Sequence, residues 1–216
     1  AADDRLRAER DMRPVPTEAE KGLRQQARRV YRELIKNYPN SRYIPNAFLS
    51  FAEYYFQEGQ IDNALEFYNR VTQYEDSEVY GYAIYKMAWC YINLQDDTQA
   101  VNQFVAVIEY ANSNPDARIA GPLARQARRE IIAPFSRAFP PNRAWDFFQR
   151  IGGDEALRMM EALSEHYYNQ GMWAEATTAY HSLMAENEDS HRLCFYQSRV
   201  AECSRRGRPK DAQVLE

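Results

Sequence analysis

The sequence predicts an all-α chain in which helical hairpins repeat and stack as a solenoid, and three observations carry that reading. Residues 48–76 hold Phe48, Phe51, Ala52, Tyr55, then Ala64, Tyr68, Val71 and Asp76. Residues 84–112 hold Ile84, Met87, Ala88, Tyr91, then Ala100, Phe104, Val107 and Asn112 at the same intervals, 36 residues later. A third copy reads Met160, Leu163, Ser164, Tyr167, Ala176, Tyr180, Leu183 and Glu188. Composition agrees: 8 Gly against 16 Tyr and 10 Phe favours long regular elements closed by aromatic contacts. Strand signals are scarce, since no run of alternating Val, Ile and Thr is bounded by turn pairs.

The bulk numbers set limits on function. Apolar residues make up 45% of the 216 and charged residues 27%, enough for a core under a well-solvated surface. A net charge of −4 gives the whole chain no electrostatic footprint for nucleic acid. The charge is uneven, with 3 basic and 10 acidic side chains in residues 37–112. That stretch reads either as ordinary solvated helix faces or as an acidic surface that prefers basic partners. No run of 18 apolar residues is present to span a membrane. Ala1-Ala2-Asp3-Asp4-Arg5 lacks the apolar core of a signal peptide, and is compatible with following one that has been removed. The cysteines leave the redox compartment open. Cys194 and Cys203 would lie about 180° apart on one helix and cannot bond there, while Cys90 sits among core-type residues.

Taken in order, residues 1–16 are charged and proline-containing, and read as a flexible or partly helical lead-in. Residues 17–216 read as the solenoid, with about five repeats. Residues 20–40 look like the second helix of a repeat, with Ala27, Tyr31, Leu34 and Pro39 at matching intervals. In the three full copies of the pattern, apolar residues three or four apart form one stripe on the first helix. A small residue there (Ala52, Ala88 or Ser164) lets a neighbouring helix come close, and the next aromatic fills the wedge beyond it. Turn residues come next, as in Glu58-Gly59-Gln60, Leu94-Gln95-Asp96 and Gln170-Gly171-Met172. A single hairpin cannot bury both faces, so stacking must supply the core.

Residues 122–151 read as a degenerate copy, in which Ile131, Ile132 and Phe135 precede Ala144, Phe148 and Ile151. Pro134 falls inside its first helix, which predicts a kinked or shortened helix, and Pro140-Pro141 lengthens the turn. Arg150-Ile151-Gly152-Gly153-Asp154 reads as a helix terminator and cap, not a phosphate loop. Residues 193–216 begin a truncated last unit, with Tyr196, Val200 and Cys203 on its first helix and Ala212 on a second.

These residues resemble the tetratricopeptide repeat family, a helix–turn–helix unit of about 34 residues. The resemblance implies a right-handed superhelical solenoid of antiparallel helix pairs, with first helices lining a concave groove. A looser resemblance lies in Asn37-Tyr38-Pro39-Asn40-Ser41-Arg42-Tyr43 and Glu58-Gly59-Gln60-Ile61-Asp62-Asn63-Ala64. These segments are similar to bacterial periplasmic and outer-membrane-associated repeat scaffolds. They imply a periplasmic or outer-membrane-associated protein, with a cytoplasmic one as the alternative.

By spacing, the groove residues are Asn46, Leu49, Glu53 and Phe56, then Tyr82, Tyr85, Trp89 and Asn93. Later repeats add Gln126, Arg129, Arg158, Glu161, Glu165, Tyr168 and Asn169. Phe56, Tyr82, Tyr85 and Trp89 matter most, because aromatics concentrate binding energy when a partner covers them. The competing reading gives Tyr82 and Trp89 to core packing between repeats. Some family members grip a chain-terminal carboxylate with paired Lys, Asn and Arg. At the matching places this chain has Leu49 with Glu53 and Tyr85 with Trp89, so that clamp is missing.

Catalytic and metal signals are missing as well. His166, His181 and His191 stand apart, with no HExxH and no cysteine pair at ligand spacing. Arg125, Arg128 and Arg129 form a basic cluster, as do Arg205, Arg206, Arg208 and Lys210, with no interleaved stacking groups for bases. The expectation is a non-enzymatic protein–protein interaction scaffold without a cofactor, metal site or nucleic-acid ligand. Its partners would be proteins or peptides, members of an envelope complex, with a homo-oligomer formed through uncapped ends as a further option. Two alternatives stay open: a targeting or regulatory solenoid of a larger multidomain enzyme, and a nucleic-acid-binding helical repeat.

Overall fold

The computed structural model describes residues 18–188 and 191–207, and among these every regular element is helical. The expected lead-in at 1–16, the second helix bearing Ala212, and the side chains of Arg208 and Lys210 lie outside the described residues. The chain divides into one compact unit ending at Leu94 and another beginning at Gln95.

In the first unit, α1 (Glu18–Asn37) packs on α2 (Ile44–Gln57), α2 on α3 (Ile61–Val71), and α3 on α4 (Tyr80–Asn93). Pro45 opens α2 in its first turn, where a missing N–H costs nothing. The stripe is buried as the spacing requires. Ala52, Ala64, Tyr68 and Val71 are fully enclosed, and Ala83, Met87 and Cys90 of α4 close the same core. Phe67 completes it at the edge, its ring 5.3 Å from those of both Phe51 and Tyr55. In α1, by contrast, Ala27 and Val30 are exposed.

The α2–α3 turn shows why glycine stands at 59. Gln60 N donates to Tyr55 O at 2.9 Å and Gly59 N to Phe56 O at 3.2 Å, with Gly59 at φ +74°. These paired bonds satisfy two carbonyls at the helix end and need a left-handed residue between them. The turn from α9 (Ala156–Asn169) to α10 (Trp173–Ala185) repeats it. There Met172 N donates to Tyr167 O, Gly171 N donates to Tyr168 O, and Gly171 has φ +73°. Gln95 takes the same place after α4 at φ +61°, a strained position for a residue with a Cβ.

In the second unit, α5 (Asp97–Ser113) starts at Asp96, whose carboxylate accepts from Gln99 N at 3.0 Å. Ala111 of α5 meets Ala120 and Ala124 of α6 (Ala120–Glu130), so these helices approach closely. After α6 the helix is interrupted at Ile131, and α7 (Ile132–Ala138) is short. The cause is Pro134. Its ring collides with the carbonyl four residues back, at Glu130, where α6 ends, and Pro134 itself falls in the first turn of α7. A 3₁₀ turn, Pro141–Arg143, then leads into α8 (Ala144–Gly152), and Phe135 packs on Phe147 and Phe148 at 4.9 and 5.0 Å. Gly152 ends α8 and Gly153 follows at φ +52°, as expected of a terminator.

Helix α9 packs on α8 and α10, and α10 on α11 (Leu193–Arg206). Met160, Leu163, Ser164, Tyr167, Ala176, Tyr180 and Leu183 are all buried, so the third copy of the pattern is a packed hairpin. Tyr196 and Cys203 of α11 are buried and Cys194 is exposed; all three cysteines are free.

Candidate protein-binding site

The same polar device occurs in both units. In the first, the Tyr68 hydroxyl donates to Glu53 of α2, and Lys86 of α4 stands 3.6 Å from the same carboxylate. Lys86 also lies 3.9 Å over the Phe56 ring. In the second, the Tyr180 hydroxyl donates to Glu165 at 2.6 Å, and Arg199 of α11 lies 3.5 Å from that carboxylate. Each carboxylate therefore joins the tyrosine of its own hairpin to a cation on the next helix. Tyrosine follows glutamate by fifteen residues in both cases. Burial first, then the neighbouring carboxylate, pushes both phenols well above their ordinary range. They stay neutral donors at any ordinary pH.

Around this device, the groove positions predicted by spacing fall as follows. Asn46 is exposed, and Leu49, Glu53 and Phe56 are half-buried along α2. On α4, Tyr82, Tyr85, Trp89 and Asn93 are half-buried. The Tyr82 and Tyr85 rings lie 6.4 Å apart, and Asn93 Nδ2 donates to Trp89 O at 2.7 Å, fixing the helix end. The aromatic face of α4 thus combines ordered backbone with partly accessible rings.

In the second unit, Tyr168 is half-buried, donates to Glu202, and lies beneath the Arg199 guanidinium at 4.0 Å. That hydrogen bond raises the Tyr168 phenol and holds the Glu202 carboxyl below its usual range. Glu161 pairs with Arg192 and accepts from Tyr196 at 3.3 Å. Asn169 and Arg158 are exposed; so is Arg129, which donates to Gln126. These groups lie on α2, α4, α6 and α9. Sequence spacing missed that Glu53, Glu161 and Glu165 are already engaged, and that Lys86, Arg192 and Arg199 engage them. The recurring Glu-to-Tyr interval was the available signal.

Among the described residues no three His, Cys, Asp or Glu side chains are grouped to hold a metal ion. Burial lowers the pKa of His166, helped by Arg137, and its ring sits 6.3 Å from that of Tyr167. Burial pushes the Cys90 thiol up to about 12, which leaves it protonated and unreactive. No helix among the described residues is long and apolar enough to cross a membrane.

Two family models, both described as tetratricopeptide repeat, match the chain, one at residues 18–41 and 82–113 and the other at 45–77. Those stretches carry the tetratricopeptide repeat. They correspond to α1, to the α2–α3 hairpin, and to most of α4 with α5. The α9–α10 hairpin lies outside the matched residues, yet it buries the same pattern positions and ends its first helix in the same left-handed glycine. No curated protein matches the chain at significance.

Proposed function

We infer that the protein is an interaction scaffold that holds a peptide or protein partner against the first helices of its repeats. Tetratricopeptide repeats mediate protein–protein contacts and serve typically as non-catalytic scaffolds. The observation that carries the reading here is the α4 face, where Tyr82, Tyr85 and Trp89 stand half-buried within two and a half turns of one helix. Large rings with part of their surface accessible gain most when a partner excludes the remaining water. Leu49 and Phe56 of α2 are half-buried as well and supply apolar area in the same unit.

The setting we propose is a bacterial cell-envelope complex, in the periplasm or at the outer membrane. Support for it is confined to residues 37–43 and 58–64, with their likeness to envelope scaffolds. Affinity capture from native cells, followed by titration of the captured partner, tests both parts. Tyr85→Ala with Trp89→Ala should weaken that partner by roughly thirtyfold at unchanged helicity. Undiminished affinity in the double variant would remove the α4 face from the mechanism. Recovery of the protein in a cytoplasmic fraction, away from envelope markers, would remove the setting alone.

A further inference from the structure

Within the second unit, a cleft of about 350 Å³ opens between α6 and the start of α9. Four guanidinium groups line it: Arg125, Arg128 and Arg129 from α6, and Arg158 from α9. The one carboxylate in the lining, Glu155, is engaged by Arg158 at 3.0 Å. Among the described residues no ion pair joins the three α6 arginines to a carboxylate. The Arg128 Nε is buried and has no hydrogen-bond partner.

Such an arrangement is unfavourable by itself. Arg125 and Arg129 are four residues apart on one helix face, where like charges repel. Arg158 is the third residue of α9, where the helix dipole disfavours a cation. An anion held in the cleft would relieve all of these terms at once and give Arg128 an acceptor.

We propose that this cleft binds a segment of a partner protein bearing paired Asp or Glu side chains. The proposal deepens the scaffold reading by naming the partner's chemistry at a second site. Guanidinium forks match planar carboxylates bidentately, and buried Met159 offers apolar contact to their aliphatic stems. Nucleic acid fits poorly. No lining residue is aromatic to stack a base.

The test uses a labelled, C-terminally amidated oligoglutamate peptide, titrated by fluorescence anisotropy at low and physiological salt. Amidation removes the chain-terminal carboxylate, so only side chains are read. Saturable binding that weakens with salt is expected, with Arg129→Ala and Arg158→Ala each weakening it by about tenfold. Both side chains are exposed, so the fold should persist, as circular dichroism will report. Arg205→Ala, in the other basic cluster, should change nothing. The proposal is overturned if the peptide does not bind, if either cleft variant binds as tightly as the parent, or if oligothymidylate of equal charge binds more tightly. These outcomes concern the cleft alone, and the titration of Tyr85 and Trp89 variants concerns the scaffold reading, so either can fail without the other.

Discussion

Two tyrosines of one hairpin should respond in opposite directions to loss of a single oxygen. Tyr167 on α9 and Tyr180 on α10 are both fully buried. The Tyr180 hydroxyl donates to Glu165 at 2.6 Å, whereas the Tyr167 hydroxyl is buried with no hydrogen-bond partner. Removing the Tyr180 hydroxyl forfeits a hydrogen bond to a charged group, a loss of about 1.5–3 kcal/mol. The low end applies, because Arg199 keeps Glu165 from being orphaned. Removing the Tyr167 hydroxyl instead relieves an unpaired polar group, whose burial costs about 1–3 kcal/mol, against the small void it leaves. Tyr167→Phe should therefore be neutral or stabilise by up to about 1 kcal/mol, and the two variants should differ by about 2 kcal/mol. With an m-value of roughly 2 kcal/mol per molar urea, that is about 1 M between midpoints. Urea unfolding by far-ultraviolet circular dichroism at neutral pH reads it directly. A Tyr167→Phe midpoint as low as that of Tyr180→Phe would refute the assignment of these two hydroxyls.

The other predictions rest on equally local features. Glu53→Ala should destabilise by about 2 kcal/mol, since it strands both the Tyr68 hydroxyl and the Lys86 ammonium, and Glu53→Gln should recover part of it; urea midpoints decide. Gln95→Gly should stabilise by about 0.5–1 kcal/mol, because glycine adopts φ +61° without a Cβ penalty, and an unchanged or lower midpoint would contradict it. His166 has its folded pKa lowered by burial, so its contribution is present above pH 6.5 and fades as pH falls through the folded value. His166→Gln should flatten that acid limb of a stability–pH profile. Burial pushes the Tyr167 phenol up to about 12, so its contribution holds below pH 10 and is lost as pH rises between about 10 and 12. Tyr167→Phe should shift alkaline unfolding toward higher pH.

The hairpins were legible because their signal is steric and local. A small residue, an aromatic one turn on, and a small residue in the second helix recur at fixed intervals, and burial follows them at Ala52, Ala64, Ala88, Ala100, Ser164 and Ala176. The break before Pro134 was legible for the same reason, since a proline ring acts on the carbonyl four residues back. Glu53 and Glu165 resisted because spacing tells which face a carboxylate occupies and nothing about which hydroxyl or cation reaches it. Those partners come from other helices, fifteen and more than thirty residues away. The arginine cleft resisted differently. Arg125, Arg128 and Arg129 were visible as a cluster, but its fourth member lies on α9, and only packing of α6 against α9 brings Arg158 to them.

The four repeat copies also explain why carboxylates stand where they do. At the second-helix position, Tyr68 and Tyr180 each bury a hydroxyl that needs an acceptor, and fifteen residues earlier each copy supplies glutamate. The other two copies have Phe104 and Phe148 there, both fully buried, with no hydroxyl to satisfy. Fifteen residues before them stand Trp89 and Ala133, neither of them a carboxylate. At this second-helix position acceptor and donor thus occur together or not at all, in keeping with the cost of an unpaired buried hydroxyl. Where the demand lapses, the first-helix position is released from a structural duty. At 89 that release allows a half-buried tryptophan on the same helix as Tyr82 and Tyr85, the three rings on which the proposed partner face rests.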